Sequence, residues 1–97
     1  MAKYVILANW TEQGVKDARN TVDRGNAFTS LVGQMGGSVD ALLWTMGSYD
    51  IVAVLDAPSD EAASAIVLKV TALGNVQGET LRAFTADEVA GIVGNLG

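Results

Sequence analysis

The sequence predicts an α+β domain in which two helices cover one face of a four-stranded antiparallel sheet. Segments with strand-like and helix-like apolar spacing alternate in the order β-α-β-β-α-β. A Gly-Ser pair at residues 47–48 separates the two middle strands as a hairpin turn, which makes those strands antiparallel neighbours. Residues 4–8 and 51–55 are apolar on both faces, as expected for the central strands of a sheet.

The first strand, residues 4–8, leads into a long helix that the sequence itself weakens in the middle. Thr11 is placed to cap the helix, and Glu12 lies in the first turn, where the helix dipole favours an anion. Polar residues and a glycine predict a break or kink around residues 20–26. Gly36 and Gly37 end the helix, and one of them is expected in the left-handed conformation.

The chain is organised around the hairpin that follows. Residues 39–46 form its first strand, Gly47 and Ser48 its turn, and residues 51–57 its second strand. Glycine accepts the positive φ that tight hairpin turns require. The uninterrupted apolar run after the turn favours a strand that is covered on both faces.

The second helix has the clearest start in the chain. Ser59 can cap it, and Asp60 and Glu61 fill its first turn. Its expected buried residues recur at helical spacing: Ala63, Ile66, Val70 and Leu73. Gly74 ends the helix, and residues 76–84 form a fourth strand whose polarity suits a sheet edge.

A short helix is expected after the fourth strand. Thr85 and Glu88 have the spacing of a capping box. The helix carries an amphipathic stripe of Val89, Ile92, Val93 and Leu96.

This element order with right-handed crossovers is the ferredoxin-like arrangement, with strand order 4-1-3-2 and both main helices on one face. The other face stays bare, although its strands are apolar. We therefore expect a second copy to cover it, sheet to sheet, as in a dimeric α+β barrel. Such an interface should bury at least about 1,200 Å² in total.

The composition narrows the classes of function. The 97 residues are 49% hydrophobic, which predicts one domain spanning residues 1–97. The chain has no cysteine or histidine, so we expect no cofactor and no metal site. Its net charge of −5 makes a nucleic-acid partner unexpected. No secretory signal and no membrane-spanning apolar run is visible, and a cytoplasmic protein is the default expectation.

Several motifs resemble one known family over about residues 4–88. They are Asn9-Trp10-Thr11-x-x-Gly14, Thr45-Met46-Gly47-Ser48-Tyr49-Asp50-Ile51-Val52, Gly74-Asn75-Val76 and Thr80-Leu81-Arg82-Ala83-Phe84-Thr85. They resemble the GYD-domain family, although the Gly-Tyr-Asp that names it reads Gly-Ser-Tyr-Asp here. The family is similar to the dimeric α+β barrel proteins. The resemblance thus implies a face-to-face pairing of ferredoxin-like sheets, and it implies no reaction.

The candidate ligand-binding residues are expected near the hairpin: Asn9, Trp10, Tyr49, Asp50 and Arg82. A tyrosine hydroxyl beside a carboxylate can orient a small molecule, and Arg82 or Lys16 could bind an anion. Strand order brings the first four residues to one end of the sheet, whereas Arg82 lies up to roughly 20 Å farther along its strand. In the alternative, structural interpretation, Asp50 bonds hairpin amides, Asn9 bonds the turn into the helix, and the aromatic side chains only pack.

Three functions remain open on the sequence alone. The leading interpretation is a self-assembling, non-catalytic protein that binds a small molecule. The second is a cofactor-free enzyme of the monooxygenase or isomerase kind, because such chemistry needs only a shaped apolar cavity with a few polar groups. The third is a structural subunit of a larger homo-oligomeric ring or shell.

Overall fold

The computed structural model describes residues 1–97, and it has the predicted α+β architecture. The sheet is antiparallel throughout, in the order β2-β3-β1-β4, which confirms the ferredoxin-like arrangement with β1 and β3 in the centre. The elements are β1 (Ala2–Trp10), α1 (Glu12–Lys16), a 3-10 turn (Ala18–Asn20), α2 (Thr21–Gln34), β2 (Ser38–Trp44), β3 (Ile51–Ala57), α3 (Asp60–Ala72), β4 (Val76–Ala83) and α4 (Ala86–Gly94).

The break in the first helical segment is real but comes earlier than predicted. It lies at residues 17–20 rather than 20–26, and α2 runs unbroken through Gly25. Arg24 of α2 explains the position, because its guanidinium donates to the carbonyl oxygens of Asp17 (2.8 Å) and Gly14 (3.2 Å). Each of these carbonyls also accepts from a backbone amide, from Asn20 at 3.1 Å for Asp17 and from Asp17 at 3.2 Å for Gly14, so Arg24 adds a second donor to each. The predicted left-handed glycine is Gly36, with φ +83°.

The hairpin differs from the predicted two-residue turn. Strand β2 ends at Trp44 rather than Met46, and residues 45–50 form a loop closed by the amide of Thr45, which donates to the carbonyl of Asp50 (2.8 Å). Gly47 lies in this loop with φ +108°, which confirms the positive φ predicted for this glycine. Asp40 is an extra residue in β2, since the register shifts between Val39 and Ala41. The bulge puts Val39 on the same side of the sheet as Leu42, facing the helices, although it lies only two residues before Ala41 on the opposite side.

The core lies between the central strands and the two long helices. Leu55 of β3, Val32 of α2 and Ile66 of α3 are its fully buried large side chains. The predicted stripe of α3 is confirmed at Ala63 and Ile66 but wrong at Leu73, which is 68% exposed. Leu73 is the helix C-cap, and it lies at the rim of a cavity rather than over the core.

The other face of the sheet is apolar and uncovered. We call it the open face; it is formed by Val5, Leu7, Ala41, Leu43, Val52, Val54 and Leu81. Leu43 is 56% exposed and Leu81 is 44% exposed. At one end of this face Lys3 forms ion pairs with Asp40 and, at 3.2 Å, with Asp56. The hydrogen bond to Asp40, followed by that to Asp56, raises the pKa of Lys3 above its ordinary value.

Helix α4 begins with the predicted capping box. The amide of Glu88 donates to the Thr85 hydroxyl (3.2 Å), and the Thr85 amide donates to the Glu88 carboxylate (2.9 Å). Its apolar residues are all exposed. None of the helices is both long enough and apolar enough to cross a bilayer.

Candidate functional site

Asn9, Trp10 and Asp50 form a hydrogen-bonded junction where β1 ends and β3 begins. The Asp50 amide donates to the side-chain oxygen of Asn9 (3.0 Å) and to the carbonyl of Ala8 (3.0 Å). The Asp50 carboxylate accepts from the amide of Trp10 at 3.0 Å. Both polar side chains therefore bond backbone groups, and they join the hairpin loop to the last residues of β1.

A second junction lies beside the first and joins the motif at residues 9–14 to the motif at residues 74–76. The amide of Thr11 donates to the carbonyl of Asn75 (3.0 Å), and the Thr11 hydroxyl donates to the carbonyl of Gly74. Gly14 packs so closely on this turn that an added Cβ would lie 1.9 Å from the Asn75 carbonyl oxygen. The start of α1 is thus bound directly to the loop before β4.

Tyr49 lies at the same end of the sheet but turns toward β4. Its hydroxyl donates to the Glu79 carboxylate at 3.1 Å. This hydrogen bond, together with the negative charge of Glu79, raises the pKa of Tyr49 above its ordinary value of 10.0. Tyr49 and Asp50 are adjacent in sequence, but their polar groups bind different partners.

A cavity of about 400 Å³ lies between the sheet and the helices α2 and α3. Its lining is mostly apolar, and it includes Ile6 and Ile51 from the sheet, Phe28 from α2 and Val70 from α3. Its polar lining residues are Thr21, Arg24, Lys69, Thr71, Asn75, Gln77 and Thr80. Its volume and mostly apolar lining suit a small apolar molecule.

The two tryptophans share one hydroxyl at the edge of this cavity. The indole N–H of Trp44 donates to Thr21 Oγ1 at 2.9 Å, and the indole N–H of Trp10 donates to the same oxygen at 3.3 Å. Trp44 lines the cavity and is 39% exposed. Trp10 connects this edge to the junction with Asp50, since its own amide donates to that carboxylate.

Arg82 and Lys16 are remote from the hairpin. Arg82 is paired with Tyr4 in the register between β1 and β4, whereas Asn9 is paired with Gln77, five residues farther along. The Arg82 guanidinium lies over the rings of Phe84 (4.6 Å) and Tyr4 (5.7 Å). Lys16 instead forms an exposed ion pair with Glu12 at 3.1 Å.

Sequence analysis missed the residues that do surround Arg82. Tyr4 is only 4% exposed, and its hydroxyl donates to the carboxylate of Asp60 at the start of α3. That hydrogen bond, reinforced by burial, raises the pKa of Tyr4 above 10.0 and keeps its proton in place. The sequence pattern around Asp60 predicts only a residue of the first turn of α3. A signal was available, because Tyr4 and Arg82 share a face once β4 is aligned with β1.

No set of metal-ligating side chains comes together in the fold. No group of three or more carboxylates comes together in a geometry that could hold an ion. The acidic pairs at residues 60–61 and 87–88 lie in the first turns of α3 and α4.

Comparisons with known proteins agree with the fold. No curated protein matches the chain. Among solved structures, a homoserine dehydrogenase from Thiobacillus denitrificans is similar, with a TM-score of 0.51 and 21% identity over 84% of this chain. The matched region is 16% of that dehydrogenase, and at this identity the likeness concerns the fold alone. The family model described as the GYD domain matches residues 4–93, nearly the whole chain, and the protein therefore belongs to the GYD-domain family.

Proposed function

We propose that the protein is a self-assembling binding protein that holds a small apolar molecule between its sheet and its helices, without catalysing a reaction. The observation that carries the proposal is the cavity of about 400 Å³. Cavities that bind small molecules are typically about 300–1,000 Å³ in volume, mostly apolar, with a few polar groups that orient the ligand.

The residues around the cavity support a binding role. Ile6, Phe28 and Ile51 offer an apolar surface, and Thr21 offers a hydroxyl beside the indole of Trp44. The junction residues Asn9, Trp10, Tyr49 and Asp50 contribute in this proposal by fixing the end of the sheet that borders the cavity.

The same lining favours binding over acid–base catalysis. General acids and bases are mostly histidine, carboxylates, lysine, tyrosine or cysteine, placed within hydrogen-bond reach of the reacting group. The cavity lining contains no carboxylate, tyrosine, histidine or cysteine. Its lysine, Lys69, lies on the exposed side of α3.

The open face supports self-assembly, with a second copy of the chain as the occupant. Four strands and about seven residues of each strand give a footprint of roughly 20 by 25 Å. Two such faces together reach roughly 1,000 Å², which is about the minimum for a biological interface and less than the about 1,200 Å² expected from the sequence. The face is apolar in the centre, and Lys3 between Asp40 and Asp56 offers both signs of charge at its end. A twofold pairing would bring identical, self-complementary patches together.

Binding is tested by titrating the uncharged apolar dye Nile red into the protein and following its fluorescence. Ala27→Phe places a large side chain at the cavity, whereas Ala72→Phe makes the same change at an exposed helical position outside it. We expect wild type and Ala72→Phe to bind the dye equally and Ala27→Phe to bind it at least about tenfold more weakly, because the aromatic ring takes up ligand volume. Equal binding by all three proteins would contradict the cavity assignment.

Self-assembly is tested by light scattering at low micromolar concentration. Leu43→Lys puts a charge on the open face, and Leu68→Lys makes the same change on an exposed position of α3. We expect dimer or larger masses for wild type and Leu68→Lys, and a shift toward monomer for Leu43→Lys, because an ammonium group would be buried unpaired. A monomeric wild-type protein would contradict the proposed interface.

A further inference from the structure

A second recess lies next to the apolar cavity and has a different chemistry. It has a volume of about 450 Å³, and its polar residues apart from Thr80, which we call the polar cluster, are Tyr4, Asp60, Ser64 and Arg82. Tyr4 donates its hydroxyl proton to Asp60, while Arg82 lies over the Tyr4 ring. One carboxylate and one guanidinium thus face the same space.

The two recesses adjoin each other. Val67 of α3 and Thr80 of β4 line both of them. An elongated molecule could therefore extend from the apolar cavity, past this pair of side chains, to the polar cluster. The apolar part of such a molecule would lie over Ile6 and Phe28, and its end would meet Asp60 and Arg82.

We propose, resting on the function proposed above, that the ligand is an amphipathic molecule with an apolar body and an uncharged hydroxyl at one end, bound by the polar cluster. The hydroxyl would donate to the Asp60 carboxylate and accept from the Arg82 guanidinium. A hydroxyl is the group that both can bind at once, because it is a donor and an acceptor.

Charged end groups fit the polar cluster less well. A carboxylate on the ligand would be attracted by Arg82 but repelled by Asp60. An ammonium group would be attracted by Asp60 but repelled by Arg82. Either charge would also lose its hydration on entering, at greater cost than an uncharged hydroxyl.

Arg82 is free to make this contact. Its guanidinium donates to the carbonyl oxygens of Lys3 (3.4 Å) and Ala83, and it lies 3.7 Å from the carboxylate of Glu88. That carboxylate is already held by the Thr85 amide at 2.9 Å. Because a guanidinium has five N–H donors, it can keep these partners and still bind a ligand oxygen.

The test compares three ligands that share one apolar chain: n-octanol, octanoate and n-octylamine. Their affinities are measured by calorimetry for wild type, Asp60→Asn and Arg82→Gln. Glu61→Gln is the matched control, since it removes a neighbouring exposed charge that does not line either recess.

We expect wild type to prefer n-octanol over both charged ligands by about tenfold, which corresponds to one hydrogen bond to a charged group. Asp60→Asn should shift the preference about tenfold toward octanoate, and Arg82→Gln should shift it about tenfold toward n-octylamine. Glu61→Gln should leave the ratios as in wild type.

The outcomes separate this inference from the proposed function. If the three ligands bind wild type equally and neither substitution changes their ratio, the polar cluster is not part of the site, although the apolar cavity remains one. If a charged ligand binds wild type tightest, the hydroxyl assignment is wrong. If none of the three binds up to its solubility limit, this inference and the proposed function are both wrong.

Discussion

Gly14→Ala tests the junction between α1 and the loop before β4. An added Cβ would lie 1.9 Å from the Asn75 carbonyl oxygen, so the two backbones must move apart by about 1.5 Å to reach an ordinary contact distance of 3.4 Å. That movement breaks the hydrogen bonds from Thr11 to Asn75 and to Gly74, and it leaves part-buried carbonyls without partners. Together these losses cost about 3 kcal/mol, against a gain of about 1 kcal/mol from the helix propensity of alanine.

The net destabilisation of about 2 kcal/mol should lower the melting temperature by roughly 8–16 °C. Gly33→Ala is the matched control, because Gly33 also lies in a helix but an added Cβ there meets no atom within 4 Å. It should raise the melting temperature by roughly 4–8 °C. Both variants and wild type are compared by circular dichroism at one protein concentration, since assembly would make melting concentration-dependent. A Gly14→Ala protein that melts with or above wild type would refute the close packing described here.

Three further predictions concern the loop, the sheet end and α4. Gly47→Val should lower the free energy of unfolding by about 1–3 kcal/mol in denaturant, because φ is +108° at this position. Gly91→Ala, within α4, should raise the free energy of unfolding by about 0.5–1 kcal/mol. Equal unfolding midpoints for the two variants would show that the loop does not require glycine. Asp50→Ala should cost about 1–3 kcal/mol in the same assay, because it leaves a part-buried amide at the end of β1 without its acceptor, and an unchanged midpoint would mean that this bond contributes nothing. The amide of Thr85 lowers the pKa of Glu88 below its ordinary value of 4.5, so the capping box stabilises α4 above that value and is lost as the pH falls through the lowered pKa. The protection factors of the amides in residues 86–94, which correct the exchange rates for their intrinsic pH dependence, should therefore fall at acid pH in wild type but not in Glu88→Gln, and parallel profiles would contradict this.

The elements that could be predicted are those whose signals are local. Apolar runs on both faces identified β1 and β3 as central strands, because their side chains alternate between the core and the open face and are apolar on both. Capping residues placed the starts of α3 and α4 correctly, since a cap and its amide partner lie three residues apart. Gly47 and Gly36 have the positive φ that their positions suggested.

The features that escaped prediction depend on distant parts of the chain. The bulge at Asp40 has no local signature, yet it changes which residues of β2 face the helices. The break after α1 is set by Arg24, seven residues beyond Asp17.

Only part of the candidate site could be predicted, because its other contacts also depend on distant parts of the chain. Asn9 and Asp50 were expected at one end of the sheet, and the structure bonds them to each other. The meeting of Tyr4, Asp60 and Arg82 combines the register of β1 and β4 with the entry point of α3, and no short motif encodes either.

The most direct test of the central claim uses Trp44 as a reporter, because it lines the cavity and Trp10 does not. n-Octanol is titrated into wild type, Trp10→Phe and Trp44→Phe, and the tryptophan emission spectrum is followed. If the cavity takes up an apolar molecule, the emission of wild type and Trp10→Phe should shift saturably to shorter wavelength, and Trp44→Phe should shift less, because Trp10 only borders the cavity beside Thr21. An emission spectrum that stays unchanged in wild type up to the solubility limit of octanol, or a shift in Trp44→Phe as large as in wild type, would contradict ligand binding between the sheet and the helices.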